Sequence, residues 1–420
     1  MIFQSNYENI HEGGIMDDKI KILWLSPYPP VNSDRTAGGH TFRTYYNAFK
    51  NDEKFDVRLI TKCHYKQIDI IREQLSPFHV DFVYRKKFKD ILLKHINIES
   101  QHNWFNRYAN MVSNLEIIKL KQILNQYKLE ECYPDVVIIE WTEWILLADI
   151  IKKHFPTAKI VASEHDVTFI GYERKREYYN GIEKIRWDIK YKIEKSREID
   201  ALKICDLVLP HNPDNIDVLV KNGIDKDKIK WLVPAYNDLT VCKRTPNKKD
   251  ILFFGAMSRP ENYLSALFFI DKVMPLLSEL DIRFIILGSN PPQDLNERQN
   301  ERIIVTGFVD SIVPYFEKCM CMVAPLILGA GIKVKIIEAF FAGIPVLTNE
   351  IGIEGIHAEN GKDFLFCKTP QDYADAIKLA VETGIESIGT SGKKYAIKNF
   401  NIKNSIENYK KELIKLYLKQ

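Results

Sequence analysis

The chain has 420 residues, of which 45% are hydrophobic and 27% charged, and its formal net charge is +3. That length exceeds what one core usually serves, so two domains of an ordinary soluble protein are expected. The small net charge gives no global case for nucleic acid as a partner, and the seven cysteines, with no CxxC pair, suit core packing in a reducing cytoplasm better than zinc or disulfides.

Residues 1–18 are polar, lack an apolar core and contain Met16, and they read as a disordered tail rather than a signal peptide. No uncharged apolar run approaches the roughly 18 residues of a membrane span. A first domain is expected over 19–240. Its first buried strand is 19–26 (KIKILWLS), after which three prolines force an irregular loop to TAGGHTFRTYYNAFK. Gly38 and Gly39 fall in that loop at the mouth of a helix, where bare backbone can approach a phosphate, although such pairs also make plain turns. Residues 56–61 and 80–84 follow as strands.

The sequence then turns basic and amphipathic, over RKKFKDILLKHI and again over 173–203, with Trp187 and Tyr191 between the cations. Such helices can lie on anionic headgroups at the inner face of a membrane or hold a charged acceptor, but the interleaved glutamates favour a solvated face. Residues 135–140 are a strand, 141–153 a helix, and 159–164 a strand whose end delivers His165 and Asp166. Strand ends of this kind line the ligand crevice of open α/β sheets. Residues 206–210 and 229–234 are expected to close the sheet, and the aperiodic stretch 236–249 to be the linker.

A second domain is expected over 250–398. Its strands are 251–255, 282–288, 303–307, 322–325, 345–347 and 364–367, with helices at 262–277, 371–383 and 391–399, and repeated βα units imply a parallel sheet with right-handed crossovers. A final amphipathic helix, within 399–420, should pack back on the first domain. The segment MVAPLILGAGIKVKIIEAFFAGIPVLT, residues 322–348, is the most informative: strand, glycine turn, helix, Gly343–Pro345 stop and strand. Gly329 and Gly331 admit a ligand to the free amides of the helix N-terminus, where the dipole favours an anion. Lys333 and Lys335 add charge, and Glu338 lies one turn beyond Lys335, where a carboxylate can accept hydrogen bonds from two ribose hydroxyls. The plain alternative is a solvated i,i+3 pair worth only about 0.2–0.5 kcal/mol.

Two Rossmann-like halves, the glycine pair after the first strand, SEHDV, GAMSRPEN, VTGFVD, the GxGxKxKxxEAxxxGxPV run and IGIEGI together resemble the group 1, family 4 type of glycosyltransferase with the GT-B fold. The resemblance runs from Lys19 over nearly the whole chain and implies an α/β architecture of two Rossmann-like domains facing a cleft. It implies that Glu338 holds the nucleotide ribose and Lys335 the diphosphate, and that Phe308 and Val309 border the base. Gly38 and Gly39 would close over the diphosphate, the backbone of Gly331, Ile332 and Lys333 would meet the donor, and His165 would face the transferred sugar. Arg259 would supply a further phosphate cation, in a loop that departs from the family's usual arginine-then-lysine pattern. Ala330 stands where many relatives carry a glutamate.

The expected activity is therefore transfer of a sugar from a nucleotide-diphosphate donor to a carbohydrate, lipid-linked or protein-linked acceptor, with retention, in cell-surface polysaccharide or glycoconjugate synthesis. No metal or other cofactor is expected: the one DxD, Asp225 and Asp227, reads as a turn. The rivals are a nucleotide-sugar epimerase and a catalytically silent partner subunit, the latter motivated by Ala330.

Overall fold

A computed structural model describes residues 19–32, 36–84 and 111–419. The first basic stretch, up to residue 110, lies outside them, as does the tail of 18 residues. In the first sheet β1 (Ile20–Ser26), β2 (Phe55–Lys62), β3 (Val80–Val83), β4 (Val136–Glu140), β5 (Lys159–Glu164) and β6 (Leu207–Pro210) run parallel in the order β3-β2-β1-β4-β5-β6. The helices of this lobe are α1 (Ala37–Lys50), α2 (Ile68–Leu75), α3 (Asn114–Leu129), α4 (Trp141–Ile145), α5 (Ala148–His154), α6 (Thr168–Tyr178), α7 (Gly181–Ile204) and α8 (Asn215–Lys221).

The second sheet repeats the plan. Strands β7 (Asp250–Phe254), β8 (Arg283–Leu287), β9 (Ile303–Gly307), β10 (Cys321–Ala324), β11 (Val346–Thr348) and β12 (Leu365–Phe366) lie parallel in the order β12-β11-β10-β7-β8-β9. Around them pack α9 (Pro260–Phe268), α10 (Val313–Lys318), α11 (Val334–Ala342), α12 (Pro370–Thr383), α13 (Glu386–Asn399) and α14 (Ile402–Leu418). In both sheets the order reverses between the first and fourth strands, and such switch points open crevices at the strand C-termini. The four strand-to-helix junctions bordering them carry Gly38, Trp141, Arg259 and the 329–333 turn.

Continuous apolar runs form the central strands because both faces of a parallel sheet are covered: Val136, Val137, Ile138 and Ile139 are each fully buried, as are Cys321, Met322 and Val323. All seven cysteines are free, with Cys63 and Cys132 half-buried and the other five buried. Helix α11 buries Ile336, Ile337, Phe340 and Phe341, then stops at Gly343, whose φ of 74° only glycine adopts without strain. Helix α14 returns to the first lobe. Its Tyr409 packs on Phe49, its Leu413 is fully buried, and its Ser405 Oγ lies 2.6 Å from Tyr45 Oη. Burying that one leucine is worth roughly 1.5–3 kcal/mol.

Four local expectations need correction. Residues 229–234 form no strand: Lys230 and Leu232 donate to Val208 and Pro210 along the β6 edge, but only Ile229 makes a bridge, and Val233 and Ala235 N–H turn to the hydroxyls of Ser405 and Thr41. Helix 141–153 is split at Leu146–Leu147, because the consecutive apolar residues 144–148 cannot all sit on one face and the chain turns to bury each of them. The helix expected at 262–277 passes through a wide turn at Phe269–Val273 into a 3-10 turn at Met274–Leu277, where Pro275 has no amide to give. Gly38 and Gly39, placed in a loop by sequence, lie in the first turn of α1, with Gly39 N–H capped by Thr36 Oγ1 at 3.0 Å.

Candidate active site

The C-terminal lobe contributes the end of α11 and the loops at its switch point. Lys335 Nζ donates to Asn262 Oδ1 at 2.7 Å and sits 4.9 Å above the Phe253 ring. Gly255 makes room for it, since a side chain there would come within 2.9 Å of Nζ. Burial, then the cations Arg259 and Lys333, lower the Lys335 ammonium to about 7. An anion arriving here would restore the proton, so the site is poised to receive negative charge.

One turn on, Glu338 is 6% exposed, and its Oε1 accepts from the backbone N–H of Asn237 at 3.1 Å and from its side-chain amide at 2.5 Å. Burial raises its carboxyl, and the two Asn237 bonds pull the other way. Asn237 belongs to the segment that joins the lobes, which places Glu338 at the hinge. Among the described residues no donor is bonded to Oε2. Lys333 occupies the N-cap position of α11, and its Nζ donates to Gly331 O and to Glu354 Oε2, the latter at 3.4 Å. Ile332 is half-buried in the same turn. Arg259 is 67% exposed and lies 3.6 Å from Glu261. Phe308 is 56% exposed just past the edge strand β9, and Val309 packs on the core.

The N-terminal lobe contributes His165. Its ring stacks on Trp141, with centroids 3.9 Å apart and planes 1° from parallel, and His211 lies 4.2 Å away. Nε2 is 2.8 Å from Glu140 Oε2, while Trp24 Nε1 donates to Oε1 of the same carboxylate at 2.9 Å. Burial holds the imidazole down to about 3 and pushes Glu140 up to about 7. Gly38 faces the same histidine: a Cβ there would lie 3.3 Å from Nδ1. Gly38 and His165 therefore belong to one constellation, and Lys335, Glu338 and Arg259 to another.

Asp166 joins the two. Its carboxylate abuts Gly331, whose φ of 75° and lack of a side chain make the approach possible. Solvent reaches Asp166 through the cleft mouth, yet the surrounding protein pushes its carboxyl up to about 6 against the pull of Lys333 and Arg259. Beside it Arg174 of α6 bonds Gly329 O and Glu354 Oε2, the latter at 2.7 Å, and Asn212 donates to Glu354 Oε1 at 3.3 Å. Asp214 takes Gly355 N–H at 2.8 Å and pairs with His357 at 2.6 Å. Ala330 is half-buried, its Cβ 3.5 Å from where a Cβ on Gly171 of α6 would stand.

Sequence reasoning did not single out Glu140, His211, Arg174, Asn237, Asn262 or Glu354, because each acquires its partner across 25 to 180 positions of chain. The signal that was available was placement: Glu140 ends β4, and Glu354 lies in the quoted IGIEGI. Asp225 and Asp227 form the expected turn, Asp225 Oδ1 accepting from Asp227 N at 3.0 Å. The second basic stretch is the α6–α7 hairpin, and most of its cations are engaged: Arg174 with Glu354, Arg176 with Glu173 and Asp188, Arg186 with Glu183, and Lys175 and Lys190 over Trp187. No described helix is long and apolar enough to cross a membrane.

Residues 248–383 match the family described as glycosyl transferases, group 1. A 44.6 kDa protein in the cps region of Klebsiella pneumoniae is 23% identical over 258 residues, a match covering 56% of this chain and 65% of that relative's length. Among solved structures, HepE of Anabaena in complex with UDP superimposes with a TM-score of 0.65 at 12% identity, covering 95% of this chain and all of that one. Sucrose-phosphate synthase of Thermosynechococcus elongatus gives 0.70 at 13%, covering 96% and 100%. TarM gives 0.65 at 12%, covering 96% and 99%. These likenesses show the fold of both lobes, two facing Rossmann-like domains of the GT-B kind.

Proposed function

We propose, for a chain whose residues 248–383 form a group 1 glycosyltransferase domain, that it transfers a sugar from a nucleoside-diphosphate sugar to an acceptor hydroxyl, with retention and without a metal ion. The observation that carries this reading is the placement of Lys335, Glu338 and the first amides of α11 at the switch point of the second sheet, opposite His165 and Asp166. A HepE structure holds UDP-glucose, and TarM has been captured with UDP and α-GlcNAc-glycerol; these support a nucleotide-sugar donor and a carbohydrate-bearing acceptor. The cps-region relative supports a role in surface polysaccharide synthesis.

In this reading the ribose hydroxyls bond to Glu338, whose Oε2 is open while Asn237 occupies Oε1. As the glycosidic bond breaks, the departing diphosphate gains charge. Lys335, Arg259 and the α11 amides offset it, a preorganised effect of about 3–4 kcal/mol per well-placed donor. His165 and Asp166 border the sugar from the other lobe, where the acceptor enters.

The test begins with UDP, GDP and ADP in a thermal-shift screen, where a ligand at about 100 times its dissociation constant adds about 2.7 kcal/mol. The matching sugar nucleotide is then incubated with acceptors in EDTA, and the anomeric configuration of the product is read by NMR. Stabilisation by at least one diphosphate and a retained product in EDTA are expected. Transfer that stops in EDTA and returns with manganese would overturn the metal-independent part, and stabilisation by none of the three would overturn the donor assignment.

A further inference from the structure

We propose that Glu140, oriented by Trp24, decides which nitrogen of His165 carries the proton and so makes Nδ1 a hydrogen-bond acceptor for a hydroxyl of the transferred sugar; the second half rests on the sugar-transfer reading above. Trp24, Glu140 and His165 come from three elements, β1, the end of β4 and the residue after β5, and are 0%, 2% and 8% exposed. The indole N–H of Trp24 can only donate, and it takes Oε1 of Glu140 at 2.9 Å. Oε2 is left facing Nε2 of His165 at 2.8 Å. Above pH 7 Glu140 is ionised and only accepts, so there Nε2 holds the proton, and in a neutral imidazole that leaves the lone pair on Nδ1.

The ring cannot turn to exchange its nitrogens, because Trp141 is stacked flat against it and His211 leans on it. Trp141 reaches that position with a φ of 60°, a costly conformation for a non-glycine residue and one that recurs where geometry matters for function. Among the described residues no donor is bonded to Nδ1. The space beyond it is bounded by Gly38, where even a methyl group would come within 3.3 Å of Nδ1 and 3.2 Å of Trp141. The groups facing this pair are Trp24, Trp141, His211, Ser163, Tyr45 and Tyr409, and of these only Ser163 and Trp24 bond to Glu140. Glu140 is thus a positioning residue, and His165 the one that touches substrate.

Replacing Glu140 with glutamine tests this sharply. Trp24 still requires an acceptor, so it keeps the amide oxygen, and the amide NH2 turns to Nε2. His165 must then accept at Nε2 and place its proton on Nδ1, which reverses the polarity offered to the sugar. The experiment is long-range 1H–15N NMR of histidine-labelled full-length chain at pH 8, with His165 assigned from a His165→Gln sample, together with kcat and KM. The wild type is expected to show the Nε2–H tautomer and E140Q the Nδ1–H tautomer, with kcat lower by at least about 10-fold and acceptor KM little changed. Adding Trp24→Phe frees the amide to turn its oxygen to His165, so the double variant should regain Nε2–H and part of the lost kcat.

An Nδ1–H tautomer in the wild type overturns the proposal without any variant having to fold. A flipped tautomer in E140Q with unaltered transfer overturns the sugar contact while leaving sugar transfer itself intact. A wild type that transfers no sugar, yet shows the tautomer change, sinks the functional reading and the sugar contact with it, but upholds the control of His165 by Glu140.

Discussion

Two buried polar regions face each other across the cleft, and they are built in opposite ways. The C-terminal one lies within residues 329–338, where two glycines, two lysines and a glutamate sit on one turn and one helix face. The N-terminal one is gathered from Trp24, Glu140, His165 and His211 and, behind them, from Glu164, Glu194 and Glu198. Glu198 accepts from Thr168 and Phe169 N–H at 2.8 and 3.0 Å, and so caps α6, which has no capping side chain of its own. The first region is a short motif placed by a helix, whereas the second holds together only because long-range packing excludes water from several carboxyl groups at once. In the first, burial pushes the Lys335 ammonium down; in the second, it pushes Glu164, Glu194 and Glu198 up.

The largest expected effect tests the first region. Lys335→Ala or Glu338→Ala should lower kcat/KM at least about 100-fold, since each would contact developing charge or fix the donor. Both variants should melt close to the wild type, which separates lost chemistry from lost fold. Near-normal kinetics in both would remove the C-terminal half of the contrast.

A smaller effect sharpens the contrast through pH. Lys335 titrates at about 7 in the free protein, and a bound diphosphate must raise that value, so binding takes up a proton above pH 7. The dissociation constant of the nucleoside diphosphate should therefore rise between pH 7 and 9, by up to about 10-fold per unit. Calorimetry in two buffers of different ionisation enthalpy measures the proton uptake, and Lys335→Met should abolish it.

The smallest effect belongs to the acids behind His165. Burial raises Glu164 to about 7 and Glu194 to about 8, and raises Glu198 as well, aided by mutual repulsion. Folded-state values above the unfolded one mean that the native state binds more protons between about pH 5 and 8, so stability is present at low pH and lost as pH rises through those values. The melting temperature should fall from pH 5 to 8, with stability lost at about 1.4 kcal/mol per pH unit for each proton released. Glu194→Gln, a change at a carboxyl with one unpartnered buried oxygen, should flatten the slope. An unchanged slope would mean that these acids are not what distinguishes this lobe.

Uninterrupted apolar strands alternating with helices were enough to specify two parallel sheets, and the glycines, lysines and glutamate of residues 329–338 were legible because they are local neighbours. Sequence reasoning misread residues 229–234 and 141–153, where apolar character was present but the partner strand or a single buried face was not. Tertiary structure alone decided that Glu140 meets Trp24 and His165, that Arg174 of one lobe meets Glu354 of the other, and that Asp166 reaches Gly331. The reason is one of range: periodicity and helix spacing report contacts within a turn or two of chain, whereas a buried carboxylate becomes a paired group only when strands more than a hundred residues apart are brought side by side and water is excluded.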